Sequence, residues 1–375
     1  MSFARTYLDY NATAPLRPEA RAAMVAALDV VGNPSSVHAE GRQARALVES
    51  AREEVARLVG AVPTDVVLTS GGTEAANMVM HGRWSRILVS AIEHPSVTAP
   101  ARASGAEVVE LPVTRDGVVD LDVAERLLAA PANGPGRALV ALQVANNETG
   151  AIQPVAEIAG MARANGHLVV ADAVQAAGKI ALDIDSLGVD ALILSGHKIG
   201  AAKGVGALVA RGRAGFAPLV LGGGQERGAR GGTENVAGIA GFGAAARAAG
   251  RDLAAFAGLA RLRDAIEAGV RAITPSADIA AAAAPRLANT SLVVLPGRRG
   301  ETLVIALDLG GIAVSAGAAC SSGKTRRSPV LAAMGFEDSM ATAAIRVSLG
   351  WASTEDDVAR FLAAWEQVTA AAKAA

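Results

Sequence analysis

Short runs of aliphatic residues alternate along the chain with longer stretches in which apolar positions recur at helical spacing. Runs at 66–68, 87–90, 108–111, 138–144, 168–171, 191–195 and 206–210 read as strands. The stretches at 18–29, 37–58, 73–81, 96–104, 121–129 and 155–165 read as helices, the first opened by Pro18 and the second long enough to bridge two domains. The strands are almost uniformly apolar instead of alternating. That pattern predicts a mostly parallel sheet covered by helices on both faces.

Beyond the sheet, glycines cluster at 222–224 and 228–232, and one long alanine-rich helical stretch is expected over about 234–270. Pro275 and Pro285 then break the pattern. Strands at 291–295, 314–315 and 344–349 then alternate with helices at 301–309, 329–334 and 355–371, which reads as a smaller α/β unit.

Composition narrows the function classes. The 375 residues suffice for a large core, and 51% hydrophobic against 19% charged describes neither a disordered nor a fibrous chain. A net charge of -1 removes the electrostatic case for direct nucleic-acid binding. No apolar stretch reads as a membrane span, and the first residues lack a basic, then apolar, secretory pattern. A cytoplasmic setting is therefore expected. The single cysteine, Cys320, excludes an intrachain disulfide and any four-thiolate metal site, and no metal site is read elsewhere.

Candidate chemistry collects at strand ends. Ser70-Gly71-Gly72-Thr73-Glu74 joins a strand to a helix, either as a phosphate cradle using the helix N–H groups or as an ordinary cap. Asp172 closes the strand at 168–171, where an acid can pair with a protonated ring nitrogen or cap the next turn. Ser195-Gly196-His197-Lys198 follows another strand. Lys198 is one of only five lysines, so it reads either as a Schiff-base amine or as a solvated loop residue, with Ser195 and His197 in reach of a phosphate. His94 can stack on a planar ring or move protons, and Asn147 can donate to a substrate or cofactor oxygen. Five strand ends bring Thr73, His94, Asn147, Asp172 and Lys198 toward one rim. A phosphate cradle, an acid, an imidazole and an amine are the parts that pyridoxal 5'-phosphate requires.

The motifs in order are Tyr7-Leu8-Asp9-Tyr10-Asn11-Ala12-Thr13, Gly32-Asn33-Pro34-Ser35-Ser36-Val37-His38, residues 69–77, Glu93-His94, residues 146–150, Asp172 to Gln175, His197-Lys198, residues 223–238, residues 316–322 and residues 346–350. Together, over nearly the whole chain, they resemble the NifS/IscS-like cysteine desulfurases, in the class V branch of fold-type I pyridoxal-phosphate enzymes. The resemblance implies an α/β fold-type I architecture. It would have an N-terminal segment (1–15) packing with the small domain, and a large cofactor domain (16–250) around a mostly parallel seven-stranded sheet. A small C-terminal α/β domain (251–375) would carry the cysteine loop.

It also implies roles. Lys198 resembles the lysine that holds the cofactor and moves protons at substrate Cα. Asp172 would pair with the pyridine nitrogen, Gln175 with the phenolic oxygen, and His94 would stack on the ring and help with proton transfer. Thr73, Ser195 and His197, helped by the backbone at Gly72, would hold the phosphate. Thr233 would reach the phosphate of a partner subunit, so a homodimer is implied. Asn147 and Arg346 would bind the substrate carboxylate, for which the planar Arg fork is suited. Cys320, in a run of small residues, would take sulfur from L-cysteine as a persulfide, release L-alanine, and pass the sulfur to an acceptor protein such as an iron–sulfur scaffold. The nearest alternative on the same fold is a selenocysteine lyase or related lyase. Ala14, the pair Ala201-Ala202, Gly231, and the stretch from Arg326 to Pro329 depart from the common family pattern.

Overall fold

The computed structural model describes residues 5–131, 137–213, 216–317 and 327–370. In chain order the elements begin with β1 (Thr6–Tyr7), α1 (Pro18–Leu28), α2 (Ala39–Leu58), β2 (Val66–Thr69), α3 (Gly72–Met80), β3 (Trp84–Ser90), α4 (Pro95–Ala103), β4 (Glu107–Leu111) and α5 (Leu121–Ala129). There follow β5 (Arg137–Gln143), α6 (Val155–Ala164), β6 (Leu168–Asp172), α7 (Ile184–Leu187), β7 (Ala191–Ser195), β8 (Gly206–Ala210), α8 (Val236–Arg251), α9 (Leu253–Ala257) and α10 (Ala260–Ile273). The last elements are β9 (Asp278–Ile279), β10 (Thr290–Val294), α11 (Gly300–Leu309), β11 (Ile312–Ala313), β12 (Ser315–Ala316), α12 (Pro329–Ala333), α13 (Asp338–Ala341), β13 (Ala344–Ser348) and α14 (Glu355–Ala370).

Seven strands form one sheet in the order β2-β8-β7-β6-β5-β3-β4. β7, β6, β5, β3 and β4 are mutually parallel, and β8 runs against both of its neighbours, so β2 again points the same way as the rest. The uniform apolarity of the strands follows from burial on both faces. Along β5, Ala138, Val140 and Leu142 enter one core while Leu139 and Ala141 enter the other. With few aromatics available, small residues set how closely helices approach. A Cβ on Gly243 of α8 would lie 2.5 Å from the Ala51 Cα of α2, so only glycine permits that crossing.

A four-stranded sheet, β12-β13-β10-β9, has its own core, and β1 pairs in parallel with β11 beside it. Here the aromatics concentrate: Phe361 and Trp365 of α14 are fully buried with ring centroids 6.2 Å apart. Alternation along β13 sends Ile345 and Val347 into this core and turns Arg346, between them, to the opposite face.

Three expectations are corrected. The stretch 234–270 is three helices and not one. α8 buries Ile239, Phe242 and Ala246 in the large core, whereas α10 buries Leu262, Ile266 and Val270 in the small one. The chain changes direction where it changes core. Asp252, at φ −91° and ψ 5°, ends α8 and pairs with Arg17 at 2.7 Å. The helix expected at 37–58 does not bridge two cores: Val48, Ala51, Val55 and Leu58 of α2 all lie in the large one. The short strand expected at 314–315 is two strands, one pairing with β1 and one with β13.

Candidate active site

A cavity of about 350 Å³ opens at the C-terminal edge of the seven-stranded sheet, within the size range of small-molecule sites. It is lined by Gly72, Thr73, His94, Asn147, Asp172, Gln175, Ser195, His197, Lys198 and Arg346, together with Asn11, Ala12, Ser96, Gln143, Ala145 and Val174. Sheet order therefore arranges the groups: Thr73 beyond β2, Ser195 and Lys198 at and beyond β7, Asp172 ending β6, Asn147 beyond β5, His94 beyond β3.

At the β2–α3 turn the backbone itself borders the cavity. Gly71 takes φ 156° and ψ 176° ahead of the first turn of α3. A Cβ on Gly206 would stand 2.6 Å from the Gly71 Cα, so this close approach needs glycine. Behind it, Glu74 accepts from the Ser70 N–H at 2.9 Å and pairs with Arg230 at 3.0 Å, which fixes the turn.

Asp172 is buried, and burial raises its carboxyl to about 6; the Val174 N–H, at 2.9 Å, and the Lys198 charge only partly oppose this. Lys198 lies in a tight turn after β7 and donates to the carbonyls of Asn11 (2.6 Å) and Ala12 (2.9 Å). His94 caps α4: its Nδ1 accepts from the Ser96 N–H at 3.1 Å and lies 2.7 Å from the Ser96 hydroxyl. Burial, then the charges of Lys198 and Arg346, lower His94 to about 4, so the imidazole is neutral. His197 is lowered to about 4 by burial and the charges of Lys198 and Lys203, and its Nδ1 sits 3.1 Å from the Thr13 hydroxyl.

Arg346 crosses from the small sheet. Its Nη1 donates to the Asn147 carbonyl and its Nη2 to Asp9, both at 2.9 Å. Its Nε is buried with no hydrogen-bond partner among the described residues. That leaves a buried donor available to an anion.

The structure thus brings ten of the sequence-predicted residues around one cavity. Thr233 is exposed and does not line it. Cys320 lies outside the described residues. Sequence reasoning did not assign Asp9, Asn11 or Lys179. Asp9 and Asn11 were visible in the 7–13 motif, but a role appears only when Asp9 meets Arg346 and Asn11 meets Lys198. It also missed Glu148, fully buried, raised to about 7 by burial, and accepting from the Ser328 hydroxyl at 2.5 Å.

Whether pyridoxal phosphate fits is decided by these donor sets. A buried carboxyl destabilised by lost hydration calls for a cationic N–H partner, which a protonated ring nitrogen provides. Thr73, Ser195 and the α3 N–H groups offer donors for a phosphate, and Lys198 offers the amine. The residues present fit the group.

The class-V aminotransferase family profile matches residues 6–361. A cysteine desulfurase of Cereibacter sphaeroides is 41% identical over 371 residues, covering 96% of this chain and 94% of that protein. The cysteine desulfurase IscS of Dictyoglomus turgidum is 38% identical, covering 94% of this chain and 91% of its own length. The solved structure of a NifS-like protein from Rickettsia africae superposes with a TM-score of 0.90 at 33% identity, covering 98% of this chain and 99% of that one. The chain belongs to the class-V aminotransferase family of pyridoxal-phosphate enzymes, in its NifS/IscS-like branch.

Proposed function

We propose that the protein is a pyridoxal-phosphate-dependent cysteine desulfurase that converts L-cysteine to L-alanine and holds the sulfur as a persulfide on Cys320. The observation that carries this reading is the convergence of Asp172, Lys198, His94 and Arg346 on one cavity at the sheet edge. Bound there, pyridoxal phosphate supplies an electron sink for charge developing at the substrate Cα.

The chain's own groups do the rest. Asp172 keeps the ring nitrogen protonated, and Gln175 donates to the phenolic oxygen. His94, neutral and held by Ser96, covers the ring face. Thr73, Ser195 and His197, with the N–H at Gly72, take the phosphate. Thr233, exposed on one chain, completes the phosphate site of the partner in a homodimer. Asn147 and Arg346 hold the substrate carboxylate, and Asp9 fixes the guanidinium plane for that purpose. The Lys198 amine removes the Cα proton.

The Cys320 thiolate then attacks the substrate sulfur. A sulfur–sulfur bond forms as the Cβ–S bond breaks. Its electron pair returns to carbon, which is protonated on the way to alanine. The persulfide passes to an acceptor protein, for which we propose an iron–sulfur scaffold in the cytoplasm. No helix among the described residues is long and apolar enough to cross a membrane.

The test is product analysis of the holoenzyme with L-cysteine and an excess of a small dithiol. Alanine and sulfide should appear in equal amounts. Sulfide accompanied by pyruvate and ammonia in place of alanine would establish an eliminating lyase and contradict the reading.

A further inference from the structure

Lys179 is one of the chain's five lysines, and only 5% of its surface is exposed. Its Nζ makes no ion pair with any described carboxylate. It donates to Asn11 Oδ1 and Gln175 Oε1, both at 2.7 Å. Burial, then the charges of Lys198 and Arg346, push its amine well below the ordinary lysine value. A lysine placed so deep without a counter-charge is costly, and an apolar side chain of the same length would be cheaper. Its place is local in origin: the turn after β6 sets Lys179 four residues past Gln175, on the same face.

Its contacts decide the orientation of an amide. A glutamine side chain has an acceptor end and a donor end, and a lysine amine brings N–H donors. Lys179 therefore takes the carbonyl end of Gln175, which leaves the NH2 end on the other side. One of those hydrogens goes to the Asn11 carbonyl at 2.9 Å. The second is the donor that Gln175 can offer to a ligand in the cavity it lines. The same amine holds Asn11 Oδ1, and the Asn11 carbonyl in turn receives the Lys198 amine at 2.6 Å.

We propose that Lys179 is a positioning residue for the cofactor: by holding the carbonyl ends of Gln175 and Asn11, it points the Gln175 donor at the cofactor's phenolic oxygen and fixes the resting place of Lys198. This rests on the assignment of Gln175 to that oxygen. Without Lys179 only the bond to the Asn11 carbonyl still holds that orientation of the Gln175 amide, and a turned amide would set its carbonyl against an oxygen that carries negative charge.

The experiment is a double-mutant cycle on the holoenzyme with Lys179→Met and Gln175→Leu. It is read by the visible absorbance band of bound pyridoxal phosphate and by the cofactor's apparent dissociation constant. Lys179→Met should displace the band and weaken binding about tenfold, as for loss of one hydrogen bond to a charged acceptor. Added to Gln175→Leu, it should have a much smaller effect on both, since only the path through Asn11 to Lys198 remains. An equal effect of Lys179→Met in both backgrounds, or none in the native one, overturns the proposal. If Gln175→Leu alone leaves the band in place, the Gln175 assignment falls and the proposal with it. Wild-type protein that takes up no pyridoxal phosphate would bring down the parent reading as well. Should Lys179→Met not fold, a crystal structure of the wild-type holoenzyme decides. Lys179 on one end of the Gln175 amide and the phenolic oxygen on the other supports the proposal; Lys179 turned away from Gln175 overturns it.

Discussion

His94, Asn147, Asp172 and Lys198 each sit at or just past the end of a different strand of the large sheet. Asp9, Asn11 and Arg346 come instead from the N-terminal segment and the small sheet, and are joined by hydrogen bonds spanning more than a hundred residues of sequence. The strands bring the first group to one rim, since a parallel sheet ends its strands on one edge, and local contacts such as Ser96 to His94 then set the side chains. The second is placed by polar contacts. Asn11 alone bonds Ser348 and Thr290 and receives Lys179, Asn289, Gln175 and Lys198. The sheet wall thus carries the proposed chemistry on a rigid frame, and the opposite wall holds Lys198 through Asn11 and brings Arg346 to the same cavity.

Variants can break that division. Lys198→Ala should have the largest effect, a loss of at least about 10³-fold in alanine formation with the fold intact. Circular dichroism with product analysis would check both halves. Arg346→Ala removes the fork from the second wall and should lower kcat/KM about 10- to 100-fold, mostly through KM, as for loss of a charge-assisted hydrogen bond. An effect confined to kcat would place Arg346 in the chemistry and erase the distinction between the walls.

Asp172 sharpens the comparison through pH. In the cofactor-free site its carboxyl is raised to about 6, chiefly by burial. Below that pH it carries a proton, which must be lost before it can pair with a ring N–H. Cofactor affinity should therefore be level above about pH 6 and fall as pH drops below it, approaching tenfold per unit. Asp172→Asn should bind weakly throughout and lose the Asp172-dependent part of that slope. Absorbance titrations between pH 5 and 8 would show it. The smallest effect is expected for Thr13→Val, which removes the hydroxyl at 3.1 Å from His197. A neutral hydrogen bond of about 1 kcal/mol predicts about a fivefold weaker cofactor affinity and unchanged kcat at saturation.

The same contrast explains what is legible in the sequence. Strand ends announce themselves: an apolar run followed by a polar residue is enough to locate Asp172, Lys198, His94 and Asn147. Arg346 is legible only through its motif, because nothing local in a five-residue strand says which face meets the cavity. Lys179 escapes notice for a related reason. It follows Gln175 by four residues within a turn, and its second acceptor, Asn11, is 168 residues away. The long helix expected at 234–270 failed because alanine-rich sequence propagates helix without marking where the core changes. In the structure Asp252, paired with Arg17, lies at the end of α8, where the change begins. Glu148 and Ser328 meet across 180 residues, a contact that no spacing rule reaches.

The central claim is that sulfur leaves L-cysteine for Cys320. It is tested most directly by intact-protein mass spectrometry of the holoenzyme after anaerobic incubation with L-cysteine, with alanine quantified in parallel. The expected result is a mass gain of one sulfur atom, mapped by peptide analysis to Cys320, with a matching amount of alanine, and no such adduct in Cys320→Ala. Normal alanine output from Cys320→Ala, or alanine from the native protein with no sulfur on that residue, would contradict it.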